Sequence, residues 1–294
     1  MNTQQNKGGQ ALLIVLLALA AVASVALTVS TRTTTDVSVT TDVEDSQRAF
    51  TAAEAGIEKV LLDEETAIDA DLQESVGSGG ATYTARAEII PSNARQYAYP
   101  FELRAGDIST LWFMSHDTDN QLTCSGAPCF TGSSTRVCWG AQGTNSTDAG
   151  ALEVSVYYQN PSGDIVVART TVDASGSRRG NNQFSLSGES GASCGTIDGV
   201  NYAFSQNIDF NSLGISNYAT AGNLKMMRVR MLYNASSQPI GFRTSSDLPA
   251  QGVQIESLGS AGTASRRLQA FSLYPVVPSM FEAALFSPPG IVKN

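Results

Sequence analysis

The residues best able to do chemistry in this chain are few and scattered. There are four cysteines, Cys124, Cys129, Cys138 and Cys194, and one histidine, His116. A single imidazole excludes any multi-histidine metal site and any histidine relay. Cys124-Ser-Gly-Ala-Pro-Cys129 can close a small loop, leaving Cys138, in the run Val-Cys-Trp-Gly, to reach Cys194. Four cysteines admit three connectivities, and this pairing is the expectation. A four-cysteine zinc site calls for paired CxxC spacing, which is absent.

Gly191-Ala192-Ser193-Cys194-Gly195 matches the G-x-S-x-G pattern of a hydrolase nucleophile elbow. In that arrangement the histidine follows the serine in chain order, and His116 precedes it. The motif therefore reads as a glycine-rich loop around a disulfide. Ser115-His116-Asp117-Thr118-Asp119-Asn120 concentrates oxygens but lacks the glycine and downstream glutamate of a calcium-binding loop, so it reads as a polar turn with His116 exposed on it. The glycines at 77–80 have no lysine after them and precede a strand, which excludes a phosphate loop. Trp112, Phe113 and Trp139 are read as strand aromatics of the core and not as a glycan-binding surface. No catalytic residue, cofactor or metal is expected.

Charge carries more information than these side chains. Of 294 residues 15% are charged, and 27 acids against 18 bases leave a net charge of -9. Such a chain gives no general reason to expect nucleic acid or an anionic membrane surface as partner. Between Lys7 and Arg32 there is no charge at all. Residues 11–29, ALLIVLLALAAVASVALTV, would form a helix about 28 Å long, the thickness of a bilayer core. Lys7 and the amino terminus precede it, and Asp36 and Asp42 lie beyond Arg32, which puts the N-terminus on the cytoplasmic side. A cleaved secretory signal, with its core at 11–20 followed by Ala21-Val22-Ala23, is one reading. A plain membrane anchor is a second.

A third reading rests on residues 30–62, which hold no proline and one glycine, Gly56. Val43, Phe50 and Ile57 fall seven apart, and Ala53, Val60 and Leu61 fill the same face at spacings of three and four. Polar neighbours such as Asp42, Glu44, Asp45, Arg48 and Glu54 complete an amphipathic helix that is expected to lie on a domain. Thr33, Thr34 and Thr35 make the join its weak point. One helix over about 11–62 would be roughly 80 Å long.

Beyond a boundary rich in acids and glycine at 63–80, short β-rich runs take over. Leu152, Val154, Val156 and Tyr158 alternate with polar or outward residues, and Asn160-Pro161-Ser162-Gly163 turns the chain towards Ile165 and Val167. Residues 224–233 read as a strand with Met227, Val229, Met231 and Tyr233 on one face and Arg228 and Arg230 on the other. Residues 252–257 and 266–274 read as a second hairpin joined through the glycines at 259–262. Further strands are expected at 82–90, 99–104, 111–114, 135–139 and 202–210, and 173–182 reads as an exposed loop. The expected fold is α+β: a long N-terminal helix against a mainly antiparallel, sandwich-like β domain over 63–294.

Two motifs resemble a known family. Lys7-Gly8-Gly9 followed by Gln10-Ala11-Leu12-Leu13-Ile14-Val15 is similar to the class III signal of type IV prepilins, which a prepilin peptidase cuts before the apolar helix. Arg48-Ala49-Phe50-Thr51-Ala52-Ala53-Glu54-Ala55-Gly56 resembles the helix motif of PilX-type minor pilins, and residues 273–287 are more weakly similar to pilin-like C-terminal segments. The resemblance covers about residues 7–62. It implies a leader at 1–9, cleavage between Gly9 and Gln10, and a membrane or filament-core helix over 10–29 that continues amphipathically over 30–62. It implies as partners other pilin subunits, the prepilin peptidase, the inner-membrane assembly machinery and, before assembly, membrane lipid. The location implied is the inner membrane, with an extracellular pilus or pseudopilus as destination. Ile14 departs from the pattern, because major pilins carry glutamate at this fifth mature position, and its absence points to a tip or initiating subunit. The reading from residues alone leaves an anchored or secreted β-rich binding module as the alternative.

Overall fold

The computed structural model describes residues 8–62, 68, 70–77, 80–126 and 128–278. Helix α1 runs unbroken over Gly8–Leu62, 55 residues, with Lys59 in its last turn where a cation complements the helix dipole. The threonine-rich join does not interrupt it. Thr31, Thr33 and Thr35 donate their hydroxyls to carbonyls one turn back, as do Thr40 and Thr41.

The described residues form two compact units, one within 8–87 and 255–270, the other within 88–254 and 271–278. In the first, α1 lies on a sheet of order β1-β2-β14-β15, made by Leu72–Val76, Ala81–Ile90, Gly252–Ala261 and Ala264–Leu273. The second unit is a sandwich. One sheet has the order β10-β11-β7-β13-β3, from Glu189–Ser190, Tyr202–Asp209, Ser134–Ala141, Ile240–Thr244 and Gln96–Ala98. The other has the order β4-β12-β8-β9, from Ile108–Trp112, Leu224–Leu232, Ala151–Gln159 and Ile165–Val172. A small ribbon pairs β5, Ser115–His116, with β6, Leu122–Thr123. The pairings of β7 with β11 and β13, and of β8 with β9 and β12, are antiparallel.

Alternation explains the sandwich. Leu152, Val154 and Val156 of β8 and Met227, Val229 and Met231 of β12 are fully buried in one core with Trp139 of β7 and Phe242 of β13. Phe113 stacks on Phe130, with ring centroids 4.8 Å apart, in the same core.

The structure corrects several expectations. A strand, β1, occupies part of the stretch read as a boundary, and residues 99–104 are irregular apart from one bridge at Leu103. Tyr233 has φ +65° and turns out to solvent, leaving the face of Met231. Arg228, expected on the open face of β12, is buried. The stretch read as an exposed loop at 173–182 contains helix α2, Gly176–Asn182, capped by Ser175, and Asp173 before it is fully buried. His116 is half-buried, its ring stacked on Tyr274 at 3.8 Å and edge-on to Trp112 at 4.6 Å.

Candidate functional site

The feature that calls for a function is α1, and its two halves differ in what they touch. Every large aliphatic side chain from Leu12 to Val29 is at least 55% exposed. This apolar part of the helix is long enough to cross a membrane. Its few hydroxyls are already satisfied, since Ser24 donates to the Ala21 carbonyl and Thr28 to the Ser24 carbonyl, both at 2.8 Å. A medium that offers no hydrogen bonds therefore meets no orphan donor at these residues.

The helix is covered from Asp45 onward, and only in part by the face that periodicity suggests. Ala53 and Val60 of that face are buried and Ile57 is half-buried, whereas Val43, Phe50 and Leu61 are 52%, 43% and 51% exposed, and Ala49, Ala52 and Gly56 complete the buried stripe. Periodicity finds large apolar residues, and here the buried stripe is made of small ones. The reason is how closely helix and sheet approach. A Cβ on Gly56 would strike Ser257 Oγ and come 2.8 Å from Tyr83 Cδ2. A Cβ on Gly259 of β14 would strike the Ala49 carbonyl. No side chain as large as Phe50 fits that seam. Gly259 is thus a close-approach glycine inside a strand and not part of a turn, and the hairpin turns at Gly262 and Thr263 instead.

Polar contacts fix the helix in register. Asp45, expected on the polar face, is buried against Gly262 and paired with Arg48. Ser46 accepts a hydrogen bond from Arg266 Nε of β15 at 2.9 Å. Tyr83 packs on Gly56 and donates to Glu74 at 3.0 Å; burial first, and then the Glu74 carboxylate, push its phenol up to about 12. Of the motif residues, Ala53 and Gly56 thus make the seam, Arg48 borders it, and Phe50 and Glu54 face outward. Gly9 and Gln10 lie within the helical backbone of α1, and residues 1–7, Phe281 and 285–287 fall outside the described residues.

The cysteines pair as Cys124 with Cys129 and Cys138 with Cys194. Gly191–Cys194 forms a 3-10 turn directly after the two-residue strand β10, and no α-helix follows it among the described residues, so the elbow-like motif occupies a disulfide-bonded turn and not the strand-to-α-helix junction of a nucleophile elbow. Asp117 accepts the amide hydrogens of Asp119 and Gln121 at 3.0 and 2.8 Å, which is the bonding of a tight turn. Among the described residues no group of three or more histidine, cysteine or acidic side chains is placed to hold a metal ion. Phe113 and Trp139 are fully buried and Trp112 half-buried, so these three rings form no open surface.

One polar assembly has no counterpart among the sequence expectations. Arg178 grips Asp173 twice, with Nε to Oδ2 at 2.9 Å and Nη2 to Oδ1 at 2.8 Å, and also donates to the carbonyls of Thr147 and Ala149. Burial alone would raise the Asp173 carboxyl. The Arg178, Ser175 and Asn182 hydrogen bonds outweigh it and hold the group below the usual carboxylate range. Nothing but the Asp–Arg spacing around α2 signals this in the sequence. His116 is shifted down by burial, partly offset by Asp117, which favours the neutral ring.

Comparison of the chain with known protein families, with characterised proteins and with solved structures finds no match.

Proposed function

We propose that this chain is a minor pilin or pseudopilin, a structural subunit of a type IV pilus-like filament. The observation that carries the reading is the division of α1: one continuous helix, uncovered and apolar over residues 11–29 and seated on its own sheet from Asp45 onward. A cleaved signal has no need of continuity with a folded helix, and a simple anchor has no need of a helix rigidly joined to a domain. A subunit that waits in lipid and later exchanges lipid for neighbouring helices needs both. The resemblance at Lys7-Gly8-Gly9 and at Arg48 to Gly56 supports the same reading.

In this mechanism a prepilin peptidase removes residues 1–9 between Gly9 and Gln10. The first half of α1 holds the subunit in the inner membrane with its N-terminus in the cytoplasm. The assembly machinery then draws it into a filament, where apolar residues of α1 pack on those of other subunits. With no carboxylate at Ile14, the helix carries no charge that would be costly to bury unpaired in the filament core, in keeping with a tip or initiating position.

Replacing Gly9 with phenylalanine tests the reading. Co-expressed with a prepilin peptidase, wild type shortens and Gly9→Phe keeps its full mass. Equal masses for the two proteins count against processing, and with it against the filament role.

A further inference from the structure

One cleft in the second unit has no part in helix assembly. We propose that it is a binding site for a small neutral polyhydroxylated ligand, a sugar residue of mono- to disaccharide size. It measures about 460 Å³ and lies where the turn after β7 meets the 3-10 turn and the start of β11, within the range of about 300–1,000 Å³ usual for ligand pockets.

One wall, the 3-10 turn, is tightly constrained. The backbone of Gly191 lies so close to the Tyr202 carbonyl that no side chain fits there. Gly195 adopts φ 58°, ψ -161°, a conformation essentially confined to glycine. Between them Cys194 is bonded to Cys138 of β7, which ties this turn to the sheet. The glycines of the elbow-like motif therefore shape a cleft, while Ser193 is not among the residues that line it. A preformed shape lowers the entropy lost on binding.

The lining specifies the ligand chemistry. Its functional side chains are the amides of Gln142 and Asn201 and the hydroxyls of Thr144 and Ser190, and no lining residue carries a charge. Thr196 donates to Asn201 Oδ1 at 2.7 Å, which orients that amide. Ser190 Oγ accepts the Ala192 amide hydrogen and keeps its own proton to give. No charged side chain lines the cleft itself for phosphate, sulfate or carboxylate to pair with; the nearby Arg243 guanidinium, beside Gly195, is already bonded to the Cys194 carbonyl. An apolar ligand would strip water from the amides and hydroxyls without replacing it. Sugar hydroxyls, each both donor and acceptor, match amides and hydroxyls group for group. Such a site is independent of whether α1 enters a filament.

The test uses the full chain in phospholipid nanodiscs, which avoids sugar-based detergents, and saturation-transfer NMR with the methyl glycosides of glucose, galactose, mannose and N-acetylglucosamine. At least one glycoside should receive transfer, and glucuronate none. Asn201→Ala and Gln142→Ala should each weaken the bound glycoside about three- to tenfold, the scale of one lost hydrogen bond. Both side chains are exposed, so these variants should keep the fold, and Ser193→Ala should bind as wild type. Absence of transfer to all four glycosides overturns the proposal. So does transfer that persists unchanged in both variants, or glucuronate binding equal to that of the neutral sugars.

Discussion

The two halves of α1 are built from opposite materials. From Leu12 to Val29 large aliphatic side chains point in every direction and stay exposed. From Ala49 to Val60 the buried positions are alanine, glycine and one valine. Both stretches are apolar, yet only the second specifies a partner within its own unit. Small residues let helix backbone approach strand backbone, and at Gly259 the fit leaves no room for a methyl group. Large residues without a shaped counterpart suit a medium, lipid or a bundle of like helices, that adapts to them.

The largest expected effect comes from filling the seam. Gly259→Val drives a side chain into the helix backbone at Ala49, and about 3 kcal/mol of stability should be lost. Denaturation followed by helical circular dichroism measures it. Leu17→Ala, in the uncovered half, should change stability by less than about 0.5 kcal/mol in the same assay. Equal effects of the two would break the distinction between the halves.

Leu17→Arg tests the other side of the comparison. It should cost about 2.5–3.5 kcal/mol of membrane insertion, read as loss from the membrane fraction, and leave both disulfides formed. A pH series probes the second unit. His116 has a lowered pKa in the folded chain, so its contribution is present above about pH 6.5 and lost as the pH falls through the folded value. Asp173 is also lowered, so its contribution holds above about pH 4 and fades further into acid. Acid should therefore open the second unit around α2 to proteolysis, after an earlier change in the ring signals of His116. The smallest effect is expected of Phe50→Ala, less than about 0.5 kcal/mol despite its place in the motif, because the ring faces outward.

Much of this architecture is legible in the sequence, for identifiable reasons. A gap in charge between Lys7 and Arg32 is a signal no β domain produces, and alternation in residues 151–172 marks β8, β9 and their turn. Periodicity finds Ala53 and Val60 of the helix seam but misses Ala49, Ala52 and Gly56, because it weighs hydrophobic bulk, whereas the contact selects for its absence. Gly259 reads as a turn residue, since a sequence does not show that a helix passes over that strand. The short, polar β1, Leu-Gln-Glu-Ser-Val, carries no alternating pattern to find. Asp173 and Arg178 read as loop residues, because burial of an ion pair is decided by distant backbone carbonyls. The cleft beside Cys194 is hidden for a similar reason. Its amides and hydroxyls come from positions 142 to 201, and only the fold brings them together.

The central claim is that the uncovered half of α1 belongs to a processed pilin-like subunit, and the N-terminal residue of the mature protein tests it most directly. Intact mass and N-terminal sequencing of protein from native membranes should show a chain beginning at Gln10, nine residues shorter than the sequence. An intact Met1, or a chain beginning at Ser24 as a conventional signal cleavage would leave it, contradicts the account.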